Sequence, residues 1–257
     1  MSISACLKPI ALAAGLLALS VTAGATTDNA TVKALNKAMA AKSRPEKDTA
    51  RDANRLPVET LSFFGFNRDM TVVELIPGGG WYTRLLAPTL RDKGKLYVAY
   101  GTGYLEKQGV LKQKGFDKVS LIAPESKVYR PENAPRYVLE NADLGIKDAD
   151  MVLTFRNYHN FGAEGRKAMN DAAFEALKSG GIYGVVDHTR RHMEPNSDAN
   201  RRRIDPVLAI KEIEAAGFEF VDYSPLHYRP KDETTLEVGD ASVTGHTDRW
   251  TLKFRKP

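Results

Sequence analysis

From residue 71 onward, apolar positions fall in short runs separated by glycines, prolines and charged stretches with helical spacing. Thr71 to Ile76 (TVVELI) is a β-branched run, followed by glycines and the helix-like stretch WYTRLLAPTL. Lys95 to Tyr100 reads as a second strand after the turn Lys93-Gly94. Residues 104–114 are expected to be helical, and 118–123 to add a short extra strand. Tyr137 to Glu140 and Met151 to Phe155 are short apolar strands, of which the first is taken as the third strand of the sheet. Ala163 to Lys178 has Met169, Ala173 and Leu177 on one stripe at steps of four, a helix stopping at Ser179-Gly180-Gly181. Ile182 to Val186 is the next strand. A further helix carries Ile204, Val207, Leu208 and Ala215 and ends at Gly217, before a strand over Phe218 to Tyr223. At the end, Trp250, Leu252 and Phe254 alternate with Thr251, Lys253 and Arg255, the period of a half-buried strand. Repeated strand-helix-strand units predict a mostly parallel sheet with helices on both faces, and the two late strands an antiparallel edge hairpin.

Ahead of this texture, residues 26–57 read as a polar helical lead-in, and Val58 to Phe64 as a short helix capped by Gly65. There is no internal repeat and no low-complexity linker, so the expected division is 1–25, 26–57 and one α/β domain over 58–257. The first segment has Lys8, the apolar run Ile10 to Val21, and Ala23 and Ala25 spaced as a cleavage site, which predicts a signal peptide and a periplasmic protein. A run of that length spans only about 18 Å as a helix, too short for a permanent anchor, so no stable membrane insertion is expected after cleavage. The single cysteine, Cys6, lies inside that segment, which leaves the remaining chain without a thiol for disulfide, metal or nucleophilic chemistry. A formal net charge of +5 reads as solubility. The densest basic stretch, Arg201 to Arg203 with Arg190 and Arg191 upstream, has no interleaved aromatics, and no nucleic-acid partner is expected.

The sharpest chemical signal is Glu74-Leu-Ile-Pro-Gly-Gly-Gly-Trp-Tyr-Thr83, directly between a strand and a helix. Open α/β sheets bind ligands beyond the carboxyl ends of their strands, where glycines let the backbone approach a ligand and a helix presents its positive end. At these residues the chain resembles class I S-adenosylmethionine-dependent methyltransferases, whose first motif is an acidic residue followed by glycines at alternate positions. Glu74, Gly78 and Gly80 match that pattern, while Ile76 replaces the first glycine. The chain is more closely similar to a family of exported predicted methyltransferases, through the segments ELIPGGGWYTRLLAP, FRNYHN, VVDH and TDRWTLKFRKP across roughly residues 45–257. The resemblance implies a seven-stranded Rossmann-like sheet with an antiparallel C-terminal strand, S-adenosylmethionine as cofactor and a small-molecule methyl acceptor. It implies cofactor-binding roles for Glu74, Gly78, Gly79, Gly80, Tyr82 and Tyr100, for Asn141 or Asp143 near the adenine, and for Phe155. Arg156 and Asn157, leaving the fourth strand with Phe155, would form the floor where methyl group and acceptor meet. One feature departs from the family: the second strand ends Val98-Ala99-Tyr100-Gly101, where most class I enzymes place a carboxylate for the ribose hydroxyls. Glu106 is the nearest acidic side chain.

His159 follows the fourth strand, and His188 and His192 follow the fifth, so all three are expected on the edge that carries the glycine turn. His159 and His188 are the candidate general bases, with Arg156 and Asn157 completing the catalytic set. His188 and His192, with Asp187 or His159, also offer zinc-type ligands, but their spacing needs a helix where the sequence reads as a loop, and no metal site is assigned. Arg156 and Arg203 are placed to clamp an acidic substrate or the cofactor carboxylate, and Trp81 and Tyr82 either cover a ligand or pack on the N-terminal segment. Two function classes stay open: a methyltransferase, and a non-catalytic binder of a small molecule or metal that keeps the fold. The export signal and the missing ribose carboxylate favour the second.

Overall fold

The computed structural model describes residues 26–257, so the segment expected to be a signal peptide, Cys6 included, lies outside the described residues. Four helices come first: α1 (Asn29–Met39), α2 (Glu46–Thr49), α3 (Asp52–Arg55) and α4 (Pro57–Phe64). The chain then runs β1 (Thr71–Leu75), α5 (Thr83–Leu90), β2 (Lys95–Ala99), α6 (Gly103–Lys107), β3 (Val119–Ile122), β4 (Lys127–Tyr129), β5 (Val138–Glu140) and β6 (Ala149–Phe155). It closes with α7 (Ala163–Ala176), β7 (Leu177–His188), α8 (Pro206–Ala215), β8 (Glu219–Ser224) and β9 (Arg249–Arg255). Among the described residues no helix is long and apolar enough to cross a membrane.

Seven strands form one sheet in the order β3-β2-β1-β6-β7-β9-β8. The pairings from β3 through β7 are parallel, and β9 is antiparallel to both of its neighbours. The mostly parallel sheet with an antiparallel C-terminal strand is therefore the architecture the sequence predicts. The central strands β1 and β6 are buried on both faces, which accounts for their nearly unbroken apolar character. One core cluster lies with α7 and α8, and a second lies with α1, α4 and α5. The lead-in is part of this packing: Leu35 and Ala38 of α1 belong to the second cluster. Phe64 of α4 packs so tightly on β7 that a Cβ at Gly184 would meet its ring at 2.9 Å.

Several expectations need correction. Residues 119–122 are the third strand of the main sheet, while Val138–Glu140 pairs only with β4 in a separate antiparallel hairpin. The predicted helix over 104–114 breaks at Gly109, whose φ is +63°, and continues only as a short 3₁₀ turn at Val110–Lys112. The helix predicted to reach Lys178 ends at Ala176, because Leu177 is taken into the sheet opposite Ala149. Ser179-Gly180-Gly181 lies within β7 at a register shift and pairs with the chain end at Lys256 rather than capping a helix. Helix α8 starts at Pro206, with the Asp205 carboxylate accepting from the Val207 amide at 2.8 Å. It buries Ala209 and Ile213, leaving Val207 and Leu208 in solvent, so the apolar face is offset from the one read in the sequence.

Candidate active site

Three strand ends meet at the carboxyl rim of the sheet. The turn after β1 leaves it through Ile76, Pro77 and the glycines; the turn after β6 through Arg156 and Asn157; and β7 ends in Asp187 and His188. The residues that follow β1, β2 and β6 are held in an uncommon backbone conformation. Ile76 has φ +54°, Tyr100 after β2 has φ +66°, and Arg156 has φ +61°. A left-handed residue with a Cβ costs about 1–2 kcal/mol, and such residues gather at functional sites. Ile76 stands where the methyltransferase motif has its first glycine and adopts the conformation that glycine would take. The surroundings hold it there: its amide donates to the Ala99 carbonyl at 2.8 Å, and its own carbonyl accepts from Asn157 Nδ2 at 2.9 Å. Asn157 also donates to the Phe155 carbonyl at 3.0 Å and so ties the ends of β1 and β6 together.

Above this rim lies a cleft of about 500 Å3, lined by Glu74, Gly78, Gly79, Tyr82, Phe155, Arg156 and Asn157, all of which the sequence nominates. Trp81 and Tyr104 also line it, as do Lys47, Asp48, Arg51 and Arg55 from the lead-in. The three glycines have different roles. A Cβ on Gly78 would meet nothing within 4 Å, so this residue opens onto free space. A Cβ on Gly79 would come to 3.2 Å from the Tyr104 ring. Gly80 does not line the cleft: with φ +80° it lets α6 pack close, and a Cβ there would fall 2.5 Å from the Leu105 side chain. Its expected contact with a ligand is thus replaced by a packing role.

Glu74 is buried, and its Oε2 accepts from Thr83 Oγ1 at 2.6 Å. Burial pushes its pKa up to about 7, against the lowering effect of the Thr83 hydrogen bonds. The cleft wall is a ladder of flat groups: Tyr82 stacks on Phe155 with ring centroids 3.5 Å apart, Trp81 meets Tyr82 edge-on at 4.7 Å, and the Arg55 guanidinium lies 4.3 Å from the centre of the Trp81 ring. Trp81 lines the cleft and also packs on the N-terminal segment, its Nε1 donating to the Asp48 carbonyl at 2.9 Å.

The two candidate bases lie beside this cleft, with ring centroids 5.7 Å apart. His159 is buried, and its Nδ1 lies 2.5 Å from Asp187 Oδ1. Because a carboxylate only accepts, Nδ1 carries a proton, and in the neutral ring Nε2 is then the nitrogen with the lone pair. Asp187 is itself fixed by the backbone amides of His159 at 2.8 Å and His188 at 2.6 Å. This is a base held by an orienting carboxylate. His188 Nδ1 instead meets Thr247 Oγ1 at 3.0 Å. Burial, then the nearby His159 and Arg156, hold the His188 pKa well below 6.5, so it is neutral and a weak base. The geometry therefore favours His159.

Other nominated residues lie elsewhere. Tyr100 is buried, and its hydroxyl donates to the Ala142 carbonyl; it lines a neighbouring cavity that also holds Glu106. Asn141 and Asp143 follow the small hairpin rather than the third strand; Asn141 donates across to the Glu125 carbonyl ahead of β4, and Asp143 accepts from the Gly145 amide in a local turn. His192 turns away to Asp205 at 2.8 Å, and among the described residues no three His, Cys, Asp or Glu side chains are grouped to hold a metal ion. Arg203 is no clamp: it is fully buried and forks onto Asp232 at 2.9 and 3.0 Å. The residues missed in the sequence are Arg51 and Arg55, whose four-residue spacing in a helical segment was the available signal, and Arg249, which sits in a strand that otherwise reads as structural.

Solved structures match this arrangement closely in topology and distantly in sequence. A putative sarcosine dimethylglycine methyltransferase from Galdieria sulphuraria superposes with a TM-score of 0.55 at 14% identity, covering 82% of this chain and 87% of its own. A SAM-dependent methyltransferase from Aquifex aeolicus gives a TM-score of 0.52 at 17% identity, covering 83% of this chain and 98% of its own. The fold is that of the class I methyltransferases. The [4+2]-cyclase SpnF shares it too, with a TM-score of 0.54 at 14% identity over 89% of this chain and 93% of its own. No protein-family model and no curated protein matches the sequence. The cleft over Gly78 lies at the carboxyl end of β1, and His159 and Asp187 lie beside it, after β6 and at the end of β7.

Proposed function

We propose that this chain is an S-adenosylmethionine-dependent methyltransferase acting on an oxygen, nitrogen or other nucleophile of a small molecule in the bacterial cell envelope. The observation that carries the reading is the open space over Gly78 at the carboxyl end of β1, walled by Glu74 and by the Tyr82–Phe155 stack. Its volume falls within the range of about 300–1,000 Å3 usual for cofactor and small-molecule sites. The donor set suits an amino-acid-bearing nucleoside. Glu74 and Asp48 offer acceptors for an ammonium, Lys47 offers charge for a carboxylate, and Glu106 is the acidic side chain of the cavity that Tyr100 lines. When bound, S-adenosylmethionine supplies an activated methyl group on a sulfonium sulfur. The envelope location rests on the apolar run after Lys8.

The residues of the chain would divide the work as follows. Gly78 and Gly79 let the backbone approach the ligand, and Asn157 keeps the ends of β1 and β6 in fixed relation. His159 Nε2 takes the proton that the acceptor loses, and Asp187 holds the ring and steadies the imidazolium that forms. Most of the rate gain would come from positioning.

The test is incubation of the full chain with methyl-labelled S-adenosylmethionine and a panel of small nucleophiles, followed by detection of S-adenosylhomocysteine and labelled product in equal amounts. His159→Ala is expected to lower turnover by about 10²–10⁴-fold while leaving cofactor affinity nearly unchanged. Binding without turnover across the panel favours the non-catalytic reading, which the buried Tyr100 in place of a ribose-binding carboxylate supports. Turnover unaffected by the His159 substitution contradicts its role as base.

A further inference from the structure

A second cavity of about 450 Å3 adjoins the glycine cleft and shares Arg51, Arg55 and Arg156 with it. His159 and His188 open into it, and Arg202 and Arg249 complete its basic wall. No acidic side chain lines it among the described residues. Two of the five arginines are answered from outside the cavity: Arg51 pairs with Asp48 at 2.5 Å, and Arg202 forks onto Glu237. Among the described residues the other three have no carboxylate within ion-pair distance, although Arg55 feels the charge of Glu74 and Arg249 that of Asp248. Arg55 is 5% exposed, and its Nη2 has no hydrogen-bond partner. Arg249 is 6% exposed, and its Nε reaches only the Thr247 carbonyl at 3.4 Å. Arg156 feels the charge of Asp187, but that carboxylate is committed to His159 and to two backbone amides.

Burying a guanidinium without a counter-charge is expensive, and three together also repel one another. Desolvation and that repulsion push Arg55 down to about 8 and Arg249 down to about 10. Apart from the contact of Arg55 with the Trp81 ring the fold gains little from such a cluster, which makes sense if a ligand brings the missing charge. One carboxylate from the cofactor would answer one arginine, and Arg249 lies outside the glycine cleft altogether.

We propose that this cavity binds the anionic group of the methyl acceptor, a small molecule carrying a phosphate monoester or a pair of carboxylates, held by Arg55, Arg156 and Arg249 beside His159. The inference rests on the methyltransferase reading for the ligand's role as acceptor; the anion site itself stands on the arginines. The acceptor would thus be fixed by its charged end and present its nucleophilic atom to the base on the same wall.

The test is calorimetric titration of inorganic pyrophosphate and, separately, citrate into the full chain at low ionic strength, with and without saturating S-adenosylhomocysteine. The expected result is binding of at least one probe that persists when the nucleoside is present; the stronger probe indicates phosphate or paired carboxylates. Arg249→Met should weaken that binding by about tenfold or more, while the melting temperature of the unliganded variant stays level or rises. Arg191→Met, on an exposed loop, should bind as the wild type does. If Arg249→Met fails to fold, Arg156→Met is read in the same way. Absence of binding by both probes while the nucleoside binds overturns the inference and leaves the methyltransferase reading standing. Displacement of the probe by the nucleoside, or undiminished binding by the arginine variants, also overturns it. Probe binding in a protein that ignores the nucleoside supports the anion site and removes the methyltransferase reading instead.

Discussion

At the scale of single residues, the same side-chain types carry opposite duties depending on what lies opposite them in space. Arg203 and Arg249 are both buried, yet Arg203 finds Asp232 in bidentate geometry, whereas Arg249 only feels the charge of Asp248 and forms no ion pair among the described residues. Replacing Asp232 with Asn should therefore destabilise the protein by about 3–5 kcal/mol, because it strands a buried guanidinium, whereas a paired apolar replacement at both positions should cost less, its remaining penalty being the Thr234 and Asp248 amides that Asp232 also satisfies. Urea midpoints of the single and double variants check this; a single variant as stable as the wild type would contradict it. The sequence did not distinguish these arginines, since the carboxylate that pairs with Arg203 stands 29 residues away. It did make Glu74, Gly78, Tyr82, Phe155, Arg156, Asn157 and His159 legible, because each lies at or just beyond the carboxyl end of a strand or opens the helix that follows it. Gly80 was misjudged for a local reason: tight packing on Leu105 and open space over a ligand both call for glycine.

At the scale of elements, the lead-in is pinned to the far edge of the sheet by a histidine. His227, in the 3₁₀ turn Pro225–His227 between β8 and β9, donates from Nε2 to the Arg55 carbonyl at 3.0 Å and accepts at Nδ1 from Thr251 Oγ1 at 2.6 Å. Burial lowers its pKa from 6.5 to about 4, so the neutral ring is the one the fold holds. Between those values the unfolded chain binds the proton and the folded chain does not. Stability from this group is therefore complete above about pH 6.5, falls as the pH drops toward 4 and then levels off, a loss of about 3 kcal/mol. Unfolding midpoints from pH 4 to 7.5 should slope less steeply in His227→Gln than in the wild type; equal slopes would contradict the assignment. Element types and order were legible in the hydrophobic pattern, but their ends and faces were less so. Leu177 fits the stripe of α7 and also fits a strand, and its pairing with Ala149 decides the matter. Likewise Val119–Ile122 and Val138–Glu140 are similar short apolar runs, and only tertiary pairing places one in the main sheet and the other in a hairpin.

At the scale of the whole molecule, the fold brings three strand ends, a glycine turn and a helical lead-in to one rim, and the two adjoining cavities there divide by charge. The glycine cleft mixes acidic, basic and aromatic groups, while its neighbour is lined by arginines and histidines without an acid. Topology alone does not name the reaction, as the shared fold of the methyltransferases and SpnF demonstrates. What gives this rim a direction is Gly78, whose bare backbone faces free space beside the buried Glu74. The most direct measurement is calorimetric titration of the full chain with S-adenosylhomocysteine, in the wild type and in Gly78→Leu. Micromolar binding that falls by at least about tenfold in the variant, a change of about 1.4 kcal/mol, is the predicted result, with the variant still folding cooperatively. No heat of binding at millimolar nucleoside, or equal affinity with a leucine at that position, would contradict it.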